Sequence, residues 1–79
     1  MPHISIKMLA GRSDAQKARI SADVTAALMA AAECEAASVS VSIEDVAADR
    51  WTEDVYDTEI VSRWDKLHKK PGYGSKAGT

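Results

Sequence analysis

The chain has 79 residues, of which 28% are charged, and a formal net charge of −2 at pH 7. This balance offers no basic surface for nucleic acid, and no apolar run is long enough to span a membrane. One cysteine excludes an internal disulfide, and the histidines at positions 3 and 68 are too far apart to suggest a metal site. A chain this short buries only about 60–65% of its unfolded surface, so we expect a second chain to stabilise it.

The N-terminal part begins with a predicted strand and continues into a predicted helix. His3 to Leu9 alternates between apolar and polar residues, which is the pattern of a half-buried strand. Ser13 is the expected N-cap of a helix from Asp14 to about Glu33, and Gln16 completes a capping box. The apolar stripe of this helix consists mostly of small residues, so we expect the helix to lie close against a sheet.

The C-terminal part repeats the order of strand and helix. Val39 to Ile43 alternates valine or isoleucine with serine and is predicted as the second strand. Residues 47–51 form a connector, and a second helix is predicted from about Thr52 to Lys69. Its buried side would carry Tyr56, Ile60, Trp64 and Leu67.

The order of elements predicts an α/β (α+β) fold: a β-α-β unit with parallel strands, followed by a C-terminal helix. Pro71 and Gly72 end that helix, so the predicted single domain spans residues 2–74 and residues 75–79 form a loose tail. Two strands leave two unpaired edges and too little apolar cover. We therefore expect dimerisation to join the strands into a larger sheet.

Pro2, directly before the first strand, has a structural and a chemical interpretation. Proline is tolerated as the first residue of a strand, where no backbone N–H is needed. If Met1 is removed, however, Pro2 becomes the amino terminus and carries a secondary amine, a base that no ordinary side chain provides. The position of Pro2 alone does not decide between the two.

Further residues carry a family resemblance. Pro2 before a short strand, followed by LAGRSDAQK at the start of a long helix, resembles the 4-oxalocrotonate tautomerase family. The stretch DVYDTEIVSRWDKLHKKPGYG is similar to the dimeric, PptA-like branch of that family. Together the similarities cover the chain from Pro2 to about Gly74. The resemblance implies an isomerase that needs no metal or organic cofactor. Such an enzyme moves a proton next to the carbonyl of a 2-oxo acid such as phenylpyruvate.

The resemblance also implies roles for three residues. Pro2 matches the general base, whose pKa is lowered when an apolar pocket and a nearby arginine disfavour its cation. Arg12 matches an arginine that binds a substrate carboxylate through its bidentate fork. Trp51 falls where an aromatic residue walls the pocket. The alternatives are a strand-starting proline, a solvated turn arginine and a core or interface tryptophan.

One departure from the family pattern concerns the substrate. Ser40 stands where members that act on dicarboxylates have a second arginine, which favours a monocarboxylate such as an aryl 2-oxo acid. Arg50 is a candidate replacement. Tyr56 and Trp64 are interpreted as core residues. The remaining polar candidates are interpreted as surface or inert residues: His3, His68, Cys34, Glu44 and Asp45.

Two other functions stay open at this point. In hydratases and dehalogenases with the same fold, a protonated proline donates a proton to an unsaturated acid while a carboxylate activates water. The third function is that of a non-catalytic oligomer. The resemblance favours a homodimer over a hexamer, because residues 52–69 form a predicted helix where hexameric members have a short hairpin. The free thiol and the lack of an apolar export signal predict a cytoplasmic protein.

Overall fold

The computed structural model describes all residues from Met1 to Thr79. The chain divides into two compact units, Met1–Val46 and Ala47–Thr79. The first contains strand β1 (His3–Leu9), helix α1 (Asp14–Ala32), a 3₁₀ turn (Ala36–Ser38) and strand β2 (Ser40–Val46). The second contains a 3₁₀ turn (Ala48–Arg50), a π-helix (Thr52–Ile60) and a 3₁₀ segment (Val61–Lys66). None of these helices is long and apolar enough to cross a membrane.

The two strands form a parallel sheet, which confirms the predicted β-α-β unit. Their register pairs His3 with Ser40 at one end and Leu9 with Val46 at the other. β1 has the predicted bounds, whereas β2 extends beyond the predicted end at Ile43. The alternation of apolar and polar residues ends at Glu44 and Asp45. The backbone nevertheless continues to pair with β1 as far as Val46, which is buried.

The two faces of the sheet differ in polarity. Lys17 of α1 donates to Asp45 of β2 at 2.9 Å, and this places the helix on the face that carries Asp45 and its cross-strand partner Met8. Most apolar residues of both strands alternate onto the same face, but Leu9 and Val46 lie on the opposite one. His3 and Ser40 also belong to that opposite face, and both are exposed. The sheet of the first unit therefore has one face covered by a helix and one face that is polar except at its Leu9–Val46 end.

Helix α1 begins as the capping pattern predicts. Ser13 Oγ accepts from Gln16 N–H at 3.1 Å, and Gln16 Oε1 accepts from Ser13 N–H at 3.0 Å. The helix ends at Ala32, after which Glu33 adopts a left-handed conformation with a φ of 55°. No residue of the 19-residue helix is buried within the chain. The apolar stripe of α1 is thus only partly covered in one protomer.

The C-terminal helix predicted over residues 52–69 is present, but it ends three residues earlier, at Lys66, and it is not a regular α-helix. The segment is a π-helix followed by a 3₁₀ segment that ends at Lys66. Thr58 Oγ1 donates to the Asp54 carbonyl and Ser62 Oγ to the Thr58 carbonyl, both at 2.6 Å. These carbonyls would accept the i→i−4 bonds of an α-helix, and such side-chain bonds loosen that ladder. The predicted core residues Tyr56 and Trp64 are buried, together with Val55.

Residues 75–79, predicted as a loose tail, form hydrogen-bonded turns. Lys76 N–H donates to Tyr56 Oη at 3.0 Å, and Thr79 N–H donates to the Lys76 carbonyl at 3.1 Å. Because Tyr56 is only 5% exposed, this end of the chain is attached to a buried side chain. The extent of the predicted domain, residues 2–74, stays a prediction.

Candidate active site

Pro2 lies half-buried at the open end of the sheet, immediately before β1. Its carbonyl accepts a hydrogen bond from Ser40 N–H at 3.2 Å, so the residue is tied to the first residue of β2. This bond uses the carbonyl of Pro2 and leaves its nitrogen out of the ladder. A proline is therefore accommodated here without loss of a strand hydrogen bond.

Ser40, the residue at the position of the expected second arginine, is paired with His3. The two side chains meet at 2.6 Å between Ser40 Oγ and His3 Nδ1. His3 follows Pro2 directly, so this polar pair stands at the same end of the sheet as the candidate base. From the sequence, His3 is expected to be a surface residue. The pair becomes visible only with the strand register, which sets these two residues opposite each other.

Arg12 follows Gly11, whose φ of 126° is a conformation that glycine adopts readily. Its side chain is exposed, and Nη1 donates to the Leu9 carbonyl at 3.2 Å. Pro2 and Arg12 lie at opposite ends of the seven-residue strand β1. At about 3.3 Å per residue the strand separates them by roughly 20 Å. The structure therefore does not bring Pro2 and Arg12 together within one chain.

Trp51 lies in the second unit, between the 3₁₀ turn and the π-helix. Its side chain is half-buried, and its indole Nε1–H donates to Tyr73 Oη at 3.1 Å. Tyr73 was not among the predicted site residues. The sequence signal that could have identified it is the KKPGYG stretch, which the resemblance used only to define the branch of the family.

Arg50, the candidate replacement for a second arginine, is engaged by two carboxylates. Its guanidinium is 3.0 Å from Glu53 and 2.9 Å from Asp54. The hydrogen bond to Asp54, followed by the charges of Asp54 and Glu53, raises the pKa of Arg50 above its ordinary value. A substrate carboxylate would have to compete with both groups. The geometry thus argues against Arg50 as a substrate-binding residue.

The acidic residues at the end of β2 are distant from Pro2. Asp45 accepts from Lys17 Nζ at 2.9 Å, and this hydrogen bond raises the pKa of Lys17 above its ordinary value. Glu44 is exposed and lies opposite Lys7 in the ladder. Both acids lie at the Arg12 end of the sheet. No group of three or more residues of the types His, Cys, Asp and Glu is arranged to hold a metal ion.

Comparison with known proteins identifies the family. A family model described as "Tautomerase enzyme" matches residues 2–56. A "Probable tautomerase" of Xylella fastidiosa is 36% identical over 77 residues, which cover 98% of this chain and 94% of that protein. The "Tautomerase PptA" of Cronobacter sakazakii is 36% identical over 74 residues, covering 92% of this chain and 97% of that protein. The chain therefore belongs to the tautomerase family, as the N-terminal proline and the two quoted stretches predicted.

Proposed function

We propose that this protein is a cofactor-independent tautomerase that moves a proton next to the carbonyl of a 2-oxo acid such as phenylpyruvate. Pro2 is its general base once Met1 has been removed. The observation that carries the proposal is the placement of Pro2, which is half-buried and fixed through its carbonyl by Ser40. Its nitrogen takes no part in the ladder. Membership of the tautomerase family supports the same reaction class.

The proposed reaction needs one group that accepts and returns a proton. The free Pro2 amine removes the hydroxyl proton of the enol and leaves an enolate, whose oxygen lone pair forms the carbonyl only as the C=C electron pair shifts to the neighbouring carbon. The electron pair of the C=C bond then takes a proton from the Pro2 ammonium, which regenerates the amine. A base works best with a pKa near the working pH, and partial burial lowers the pKa of an amine because burial disfavours its charged form.

The separation of Pro2 and Arg12 favours a site shared by two protomers. If one edge strand pairs with the same strand of a second copy about a two-fold axis, the two strands run antiparallel. That arrangement brings the Pro2 end of one sheet towards the Arg12 end of the other. Arg12 of a second copy would then bind the substrate carboxylate. The proposed homodimer thus supplies both the missing sheet partner and the carboxylate site.

The environment of Ser40 supports a monocarboxylate substrate. The position of the second arginine is occupied by a short side chain that bonds to His3, and Arg50 is held by two carboxylates. A second substrate carboxylate would lack a cationic partner at either residue. An aryl 2-oxo acid has one carboxylate and an apolar group in place of the second.

The test compares chains with and without Met1, after intact-mass measurement has established the first residue of each. The processed chain should convert the enol of phenylpyruvate to the keto form. The chain that retains Met1 should keep its circular dichroism spectrum and lose nearly all activity, because its Pro2 nitrogen is then an amide. Equal activity of the two forms would refute Pro2 as the base.

A further inference from the structure

The second unit contains an aromatic cluster of Trp51, Tyr56 and Tyr73. The ring centroids of Tyr56 and Tyr73 are 5.7 Å apart with an interplanar angle of 41°. Trp51 Nε1–H donates to Tyr73 Oη at 3.1 Å. Tyr56 is buried, but Tyr73 is 49% exposed. Burial in the core therefore does not explain why Tyr73 is held against the other two rings.

The segment that carries Tyr73 is anchored on Tyr56. Lys76 N–H donates to Tyr56 Oη at 3.0 Å. Gly74, with a φ of 91°, passes so close to the Tyr56 ring that any Cβ at this position would overlap it. The glycine is required both by this contact and by its backbone conformation. Tyr73 is thus presented by backbone fixed on a buried side chain.

A cavity of about 240 Å³ adjoins these rings and is lined by Trp51, Tyr56 and Tyr73, together with Asp57 and Ser75. Ligand sites that enclose a drug-sized molecule usually measure about 300–1,000 Å³. This cavity is smaller, so its volume suits one part of a ligand, such as a single aromatic ring. Aromatic walls favour another ring through offset or edge-to-face contacts.

We propose that Tyr73 is a positioning residue that holds the Trp51 indole in place, and that the adjoining cavity binds the planar aromatic ring of a ligand. The identification of that ligand as an aryl 2-oxo acid rests on the proposed function. The phenol oxygen of Tyr73 accepts the indole N–H and so restricts rotation of the Trp51 side chain. Without this acceptor the indole is free to rotate, and the cavity loses a fixed wall.

The test measures binding at Trp51 with a probe that cannot tautomerise. In a ¹⁵N-labelled sample, 3-phenylpropionate should shift the indole N–H resonance of Trp51, which Trp51→Phe assigns, whereas butyrate should not. In Tyr73→Phe, the resonance should move and exchange faster with solvent, because the acceptor is lost. The dissociation constant for 3-phenylpropionate should rise roughly two- to tenfold, as expected for one hydrogen bond. Tyr73→Phe keeps the ring against Tyr56, and well-dispersed backbone resonances within residues 47–79 establish that the second unit of the variant folds.

Thr79→Val is the matched control, since it removes an exposed hydroxyl from the same segment and should change neither quantity. An unchanged indole resonance and affinity in Tyr73→Phe would overturn the positioning role. If 3-phenylpropionate does not shift the Trp51 indole resonance of the parent protein, the proposed aromatic site is refuted. Inactivity of the parent on phenylpyruvate would contradict only the proposed function, because the binding test does not require turnover.

Discussion

At the scale of single residues, Pro2 combines a structural and a proposed chemical role without conflict. The hydrogen bond that ties it to β2 uses its carbonyl, so the absence of an N–H costs the sheet nothing. The N–H is missing because the nitrogen belongs to the pyrrolidine ring. When Met1 is removed, this ring nitrogen becomes a secondary amine. The proposed base is therefore positioned by strand geometry, with no need for additional structural elements.

Arg12 is the residue on which the substrate class depends. Its exposed guanidinium donates to the nearby Leu9 carbonyl, and we expect it to pair with the carboxylate of a 2-oxo acid. Arg12→Ala should lower kcat/KM for phenylpyruvate by roughly 10- to 150-fold, since a hydrogen bond to a charged group contributes about 1.5–3 kcal/mol. Steady-state kinetics on the enol measure this loss.

Two controls separate lost binding from other effects of Arg12→Ala. Arg19→Ala removes a cation of the same kind, one that pairs with Asp23 on the surface of α1, and should leave kcat/KM unchanged. An enol whose carboxylate is replaced by a neutral group should react almost as before. Loss of a nearby cation should raise the Pro2 pKa and shift both pH–rate profiles upward. A change within about twofold for the acid substrate would make Arg12 only a turn residue.

The sequence predicted the position of Pro2 before the first strand, but not the contacts among the candidate site residues. Pro2 lies half-buried before β1, where the alternating pattern of the strand put it. The pairing of His3 with Ser40 escaped prediction because it depends on the register of two strands 37 positions apart in the chain. Alternation assigns residues to a face but does not fix which residues stand opposite each other in a parallel pair. Tyr73 was not predicted for a related reason, because its contact with Trp51 joins residues 22 positions apart, across the helix predicted over residues 52–69.

At the scale of secondary-structure elements, α1 shows what a local pattern can determine. The capping box involves residues three positions apart, and both of its hydrogen bonds form as predicted. Capping depends on local backbone geometry and needs no knowledge of the rest of the fold. The start of the helix was therefore predictable to the residue.

Ser13→Ala tests how much this cap contributes to stability. The variant leaves the N–H of Gln16 without its side-chain acceptor, so the free energy of unfolding should fall by about 0.5–2 kcal/mol. Urea denaturation at fixed protein concentration measures the change. Ser13→Thr keeps the acceptor and should lose much less. If Ser13→Ala matches the parent within about 0.3 kcal/mol, backbone groups or water replace the cap.

The segment after Trp51 shows where periodicity fails. Apolar residues recur at intervals that suit an α-helix, yet Val61 N–H donates to the Tyr56 carbonyl, which is the i→i−5 pattern of a π-helix. The spacing of buried residues at 56 and 64 is compatible with both kinds of helix. Thr58 and Ser62 bond carbonyls one turn earlier through their hydroxyl groups, but Thr25 does the same within α1, which remains an α-helix, so these bonds do not decide between the two. Sequence periodicity detects a helical segment but does not report which carbonyl each N–H will bond.

At the scale of the whole molecule, the open two-stranded sheet of the first unit favours association with a second chain. Each of its two parallel strands has an unpaired edge. The face opposite α1 carries the exposed polar residues His3 and Ser40, and its apolar residues are confined to Leu9 and Val46 at one end of the sheet. Pairing through a strand edge therefore explains the association better than stacking of faces. A closed two-fold pairing leads to a homodimer rather than a hexamer.

Mixing two impaired variants tests the shared site in the proposed homodimer. One variant retains Met1 and so lacks the base, and the other is Arg12→Ala. If each site combines Pro2 of one protomer with Arg12 of the other, every mixed dimer contains one intact site. After joint unfolding and refolding of equal amounts, half of the dimers are mixed, so activity on phenylpyruvate should return to about a quarter of the parent value.

Sedimentation equilibrium and a second mixture complete the test. The parent and both variants should sediment at twice the chain mass of 8.5 kDa. Replacing the Arg12→Ala chain by Arg19→Ala supplies an intact Pro2 and an intact Arg12 on one chain, so activity should appear whether or not the site is shared. If that control regains activity and the first mixture does not, Pro2 and Arg12 do not act across the interface. A stable monomer would contradict the argument from unpaired edges, because the strands would then remain open in solution.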